Sequence, residues 1–247
     1  MYCHGNQYSR LTELAICTGR VLIAKITLNF PGLASRPAET LKTMSPTELT
    51  ALLLLATAMS FSPGPNTTLS TALAANLGLR RAMRFCLAVP TGWTLLLVAT
   101  GLGLGALITS VPALRLGVKV FGVAYMLWLA WKLARAGGMS QLDASRLNVT
   151  FWQGVGLQFV NIKAWMLALT LTAGWVVNAG GQPAANPYER LAIVGVVMMV
   201  FAFSSNFLYA LVGSLLRQWL AQGARLLWFN RVLAGVLVAT AFWMLTV

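Results

Sequence analysis

The chain has 247 residues, 58% of them hydrophobic and 9% charged, with a mean hydropathy of +0.73. So few polar residues cannot cover a globule in water, and lipid must form part of the solvent. A net charge of +13 and a pI near 10.7 would suggest nucleic acid in a soluble protein, but here Lys and Arg punctuate apolar runs as they do in membrane loops. No basic patch interleaved with aromatics stands outside those runs, which excludes a nucleic-acid partner.

Residues 1–43 carry Arg10, Arg20, Lys25, Arg36 and Lys42 against Glu13 and Glu39. Lys25 interrupts the only apolar stretch, so a signal peptide's hydrophobic region of ~7 to 15 residues is missing. The expectation is that residues 1–43 are a disordered leader or mistranslated upstream sequence. Met44 is then the physiological start, and residues 44–247 form one transmembrane domain.

A hydrocarbon core of ~30 Å takes ~20 apolar residues per helix, and six such runs follow. The first extends from Leu49 to about Ala75, interrupted by Ser62-Pro63-Gly64-Pro65-Asn66. The second runs from Phe85 to Ile108, the third from Ala113 to Trp131 and the fourth from Phe151 to Val177. The fifth spans Leu191 to Leu216, and the sixth Leu226 to the C-terminal Val247. The predicted fold class is therefore an all-α integral membrane protein of about six transmembrane helices with a broken first helix. Trp128, Trp131, Trp152 and Trp175 fall where interfacial anchors belong. Gly101 and Gly105 read as helix-packing residues, and Pro90 and Gly92 as a kink.

Orientation follows from the cytoplasmic preference of Lys and Arg. Arg80, Arg81 and Arg84 follow the first run, Lys132, Arg135 and Arg146 the third, and Arg217, Arg225 and Arg231 the fifth. The alternate loops hold Arg115 and Lys119, then Arg190, giving nine against three. This places both ends of the six-helix unit on the periplasmic side of a bacterial inner membrane.

Two interruptions carry chemistry. Pro63 and Pro65 remove amide donors, so the carbonyls of Met59 and Phe61 lose their helical partners, and unpaired backbone in hydrocarbon is tolerated only where other groups or a wet cavity satisfy it. Ser60, Ser62, Asn66, Thr67 and Thr68 cluster there, either to greet a polar solute or to cap a structural kink. In the fourth run, Gln158, Asn161 and Lys163 lie within apolar sequence. A cation more than two turns inside a span needs a partner there, or must snorkel to the surface if the span begins late. As a functional group it would meet a substrate carboxylate or carry a proton.

Asn66 and Asn161 hold similar places, each opening a three-helix half. Three spans per half make the halves inverted repeats, approximately 44–140 and 147–247, and paired interruptions point to a transporter's central site. Ser204, Ser205, Asn206 and Tyr209 in the fifth run would either join that pocket or bond helix to helix.

Catalytic groups are scarce. Cys3, Cys17 and His4, the single histidine, lie in the leader, and Cys86 opens the second run, so no metal, cofactor or enzymatic constellation is expected. The acids of the six-helix unit are Glu48, Asp143 and Glu189, near span ends or in loops.

Ser62-Pro63-Gly64-Pro65-Asn66, Gly122 to Trp131 with Ala124-Tyr125 and Leu129-Ala130-Trp131-Lys132, and Phe159-Val160-Asn161-Ile162-Lys163-Ala164 together resemble the lysine exporter and homoserine/threonine resistance (LysE/RhtB) superfamily. The resemblance covers Met44 to Val247. Phe151-Trp152 ahead of Gln158-Phe159-Val160-Asn161 is similar to the cysteine/O-acetylserine exporter branch. Many members have Asn-Pro-Lys where this chain has Asn161-Ile162-Lys163, so a softer second break is expected.

The resemblance implies export of small zwitterionic amino acids, of the cysteine, O-acetylserine, threonine or homoserine type, driven by the proton motive force. The substrate-binding set would be Ser62, Pro63, Gly64, Pro65, Asn66, Thr67, Gln158, Asn161 and Lys163, with the carboxylate at Lys163 and the ammonium at the freed carbonyls of Met59 and Phe61. The partners are then a small amino acid and the lipid bilayer, and the sequence leaves room for a homo-oligomer. The rival readings are a channel-like or structural membrane protein without active transport, and a membrane-embedded enzyme lacking the groups it would need.

Overall fold

The computed structural model describes residues 44–136 and 149–246. The expected leader with Cys3, Cys17 and His4, and Asp143 and Arg146, lie outside the described residues.

Ser45 starts α1 (Pro46–Phe61) with a capping box. Its hydroxyl accepts the Glu48 N–H at 3.2 Å, and the Glu48 carboxylate accepts the Ser45 N–H at 2.8 Å, while Pro46 fills the first turn without wasting a donor. The chain breaks at Ser62–Gly64, as two prolines in three residues require, and resumes as α2 (Pro65–Leu77). Gly78, at φ 86°, adopts the left-handed turn into α3 (Leu79–Ala99). A π-helical segment (Thr100–Leu104) then leads to α4 (Gly105–Ser110). The expected packing pair Gly101 and Gly105 brackets this segment, Gly101 facing Leu191 and Gly105 facing Leu169.

Pro112 opens α5 (Pro112–Arg135). Thr150 and Gln153 form a second capping box at the start of α6 (Phe151–Val160). Next come α7 (Ile162–Leu171) and a π-helical segment (Thr172–Val177). A short antiparallel hairpin pairs β1 (Asn178–Ala179) with β2 (Gln182–Pro183). The chain ends with α8 (Pro187–Leu220) and α9 (Arg225–Thr246).

Four stretches are long and apolar enough to cross a membrane: Leu79–Leu107, α5, α8 and α9. The pair α6 and α7 with its π segment makes a fifth if counted as one bent span. The expected first span is the broken one, since α1 has 16 residues and α2 has 13 and neither reaches across alone. At the second break, where Ile162 stands between Asn161 and Lys163, the chain bends by 68°. The Asn161 side chain explains this, because its carbonyl accepts the Lys163 N–H at 3.2 Å and caps a new helix where the old one stops.

The bundle has two distinct ends. The Asn76 and Asn230 amides pair reciprocally at 2.9 Å, Asn230 also donates to the Ala136 carbonyl at 3.0 Å, and Arg217 lies over Gly78. The α2–α3 turn, the C-terminus of α5 and the α8–α9 turn therefore share one end. At the other, Arg190 donates to Glu48 at 2.7 Å and to the Trp175 carbonyl at 2.6 Å, and the Trp175 ring N–H donates to the Glu48 carbonyl at 3.0 Å.

Close helix approach fixes the interior. A Cβ on Gly92 of α3 would lie 2.6 Å from the Val155 carbonyl of α6, and one on Gly213 of α8 would strike the Thr71 carbonyl of α2. One buried cluster, built on Phe85, Met126, Leu133 and Leu237, and another, built on Leu52, Leu97, Leu171 and Met198, make up the core.

Candidate functional site

The two breaks meet. Lys163, in the first turn of α7, sends its ammonium across to the end of α1, donating to the Ser62 hydroxyl at 2.6 Å and to its carbonyl at 3.4 Å. At the start of α2, Asn66 forms a reciprocal amide pair with Gln158 of α6: Asn66 donates at 2.9 Å and Gln158 donates back at 3.1 Å. Residues about a hundred positions apart are thus tied by side chains inside the bundle.

The polar groups close the broken ends economically. Ser62 donates to the Met59 carbonyl at 3.0 Å, and the Tyr209 hydroxyl of α8 donates to the Phe61 carbonyl at 2.9 Å. Each of those two carbonyls thus accepts one protein hydroxyl and keeps one lone pair for a further donor. The Thr67 hydroxyl accepts the Gly64 N–H at 3.0 Å and donates to the Gly64 carbonyl at 3.1 Å, closing the first turn of α2.

These groups surround a cavity of about 60 Å³, enough for about four water molecules. Of the residues named from sequence, Ser62, Gly64, Pro65, Asn66, Thr67, Asn161 and Lys163 line it. Gln158 is fully buried and reaches it through Asn66, whereas Pro63 is exposed and outside the lining. Ser60 lines the cavity, with no hydrogen-bond partner for its hydroxyl among the described residues.

In the fifth run, Ser205 and Asn206 line the cavity. Asn206 accepts from Ser70 at 2.8 Å. Tyr209 stands behind the first break, and Ser204 is exposed.

Sequence reasoning missed the apolar wall. Val89, Trp93, Leu167 and Met198 form it together with Met59, Ala164 and Ala202, and the one available signal was Trp93 beside Gly92, a large side chain next to a residue small enough for close helix contact. Among the described residues, Lys163 is the only lysine, arginine or carboxylate side chain in the lining, and the carboxylates Glu48 and Glu189 do not reach it. The Lys163 ammonium donates to two neutral oxygens of Ser62.

The LysE type translocator family profile matches residues 57–246. The chain belongs to that family. It is accordingly a translocator rather than an enzyme, and with its apolar helices a multi-pass membrane protein of the bacterial inner-membrane type. A cysteine/O-acetylserine efflux protein of Klebsiella pneumoniae subsp. pneumoniae is 29% identical over 202 residues, covering 80% of this chain and 97% of the relative. The protein of that name from Escherichia coli strain K12 is 29% identical over 200 residues, with the same coverage. One from Salmonella choleraesuis is 28% identical over 199 residues, again with 80% and 97% covered. No solved structure matches.

Proposed function

We propose that this translocator exports small neutral, zwitterionic amino acids from the cytoplasm, with cysteine and O-acetylserine as the first substrates to try and threonine and homoserine as further members of the class. The observation that carries this reading is the contact between the two helix breaks: Lys163 is held by Ser62 beside a cavity that, among the described residues, has no other cation and no carboxylate in its lining. The names of the relatives support the substrate class.

The chemistry follows from the donors and acceptors. An ammonium has three donors, and Lys163 directs two of them at Ser62. A substrate carboxylate would take the remaining donor and then replace Ser62, supplying a charged acceptor in place of a neutral one. The substrate ammonium needs acceptors, and the Ser60 hydroxyl is the first of them. A cationic amino acid such as lysine would find no counter-ion for its side chain in the lining, and is disfavoured. Trp93, Met198 and Leu167 would cover the substrate's short apolar or hydroxylated side chain.

Each half opens with a broken helix. In this reading α1–α5 and α6–α9 are inverted repeats, and rocking one against the other exchanges access to the cavity. Breaking the Lys163–Ser62 contact on substrate binding would release one half from the other. Transport is coupled to the proton motive force, and the basic end of the bundle faces the cytoplasm, so that both ends of the six-helix unit lie on the periplasmic side.

The test is efflux of radiolabelled cysteine, O-acetylserine, threonine and lysine from cells expressing the full chain, Lys163→Ala or Asn66→Ala. Saturable loss of a neutral amino acid is expected, abolished by Lys163→Ala and by an uncoupler, with lysine retained. Efflux of lysine, or unchanged efflux from Lys163→Ala, would refute the assignment of Lys163 as the carboxylate anchor.

A further inference from the structure

Among the described residues, the cations at one end of the bundle have no acidic neighbours. Arg80, Arg81, Arg84, Lys132, Arg135, Arg217, Arg225 and Arg231 belong to the end marked by the Asn76–Asn230–Ala136 bonds, while the carboxylates among the described residues, Glu48 and Glu189, belong to the other. Several of these cations lie on indole rings. Lys132 sits 4.5 Å from the Trp128 ring centre, Arg135 4.2 Å from Trp131, Arg225 4.8 Å from Trp219 and Arg231 5.3 Å from Trp228. Those rings remain 44 to 62% exposed.

Two helices bring the densest part of this pattern together. α5 and α9 pack along their length, joined at one end by Asn230 to Ala136 and at the other by Lys119 donating to the Leu245 carbonyl at 2.7 Å. The last turns of α5, with Trp128, Trp131, Lys132 and Arg135, therefore stand beside the first turns of α9, with Trp228 and Arg231. A ring face holds a cation flat and leaves its outer N–H groups for another acceptor. The indoles place these groups at headgroup depth, where the apolar bilayer meets water.

We propose that the α5–α9 junction is a binding site for an anionic phospholipid, its phosphate taken by Lys132, Arg135 and Arg231 and its glycerol and upper chains lying against Trp128, Trp131 and Trp228. The lipid phosphate complements the charge that Lys132, Arg135 and Arg231 gather on their indole rings. The site is separate from the central cavity and does not depend on the identity of the transported solute.

The experiment uses the purified full chain in a neutral detergent, titrated with phosphatidylglycerol labelled on its acyl chain by a dansyl group, with energy transfer from tryptophan as the readout. The identically labelled phosphatidylcholine is the neutral reference. Phosphatidylglycerol is expected to saturate at lower concentration than phosphatidylcholine. Removing a juxtamembrane charge weakens such binding about fivefold, so K132Q/R135Q/R231Q should weaken it by on the order of 100-fold. The charge-preserving K132R/R135K/R231K should retain it, and R115Q, at the opposite end, should bind as the unaltered chain does. Equal binding of the two lipids, an unshifted glutamine variant, or loss of binding in the charge-preserving variant would each overturn the proposal.

Discussion

Replacing Gln158 by Leu tests whether the two helix breaks are energetically joined. Gln158 is fully buried and takes part in three hydrogen bonds, two with Asn66 at 2.9 and 3.1 Å and one to the Gly154 carbonyl at 3.2 Å. Leucine removes all three and leaves the Asn66 amide, at the cavity wall, without its protein partner. Side-chain hydrogen bonds within bilayers contribute about 0.6 kcal/mol each, so a destabilisation of about 2 kcal/mol is expected from losing three. The double variant Asn66→Leu/Gln158→Leu removes both partners. It should therefore be less damaging than the sum of the single changes, by about 1–2 kcal/mol. Equilibrium unfolding of the purified chain in mixed micelles with increasing sodium dodecyl sulfate measures all four corners of the cycle. Additivity within about 0.5 kcal/mol would mean that Asn66 and Gln158 do not stabilise one another, and would refute the reciprocal pair.

Gly92→Ala forces a methyl group to 2.6 Å from a backbone carbonyl of α6; it should cost about 1–3 kcal/mol. Gly235→Ala meets open space on α9 and should leave the melting temperature of the detergent-solubilised protein nearly unchanged. Tyr209→Phe strips the hydroxyl from the Phe61 carbonyl. A loss of about 1 kcal/mol in the same micelle titration is expected, with efflux impaired because the end of α1 loses its position. Glu48→Gln takes the carboxylate from Arg190, whose side chain is 3% exposed. The melting temperature should fall, corresponding to about 1–3 kcal/mol, and adding Arg190→Gln should cost less in the Glu48→Gln background than alone.

Much of this molecule was legible in its sequence because membrane constraints are one-dimensional. Composition and run length exclude a water-soluble fold, since backbone groups in lipid must be satisfied within each helix. Pro63 and Pro65 mark the first break because two prolines within three residues take away two N–H groups in one turn, whereas α3 runs on through the single Pro90. The alternation of basic and non-basic loops divided the Lys and Arg residues into two sets, and one end of the bundle collects the basic set by the Asn76, Asn230 and Arg217 contacts.

Other features depended on partners distant in sequence. The second break has no proline; its 68° bend arises from Asn161 capping the next helix, a choice between local and helical hydrogen bonds that nearby packing settles. That Lys163 reaches Ser62 rather than snorkelling to a surface, that Tyr209 satisfies Phe61, and that Trp93 closes the cavity depend on which helix faces are brought together. Sequence determines where a helix must break and which polar groups enter the membrane; only tertiary packing decides which of them meet, because their mutual distances are set by contacts such as Gly92 on Val155 and Gly213 on Thr71, made between chain segments dozens to more than a hundred residues apart.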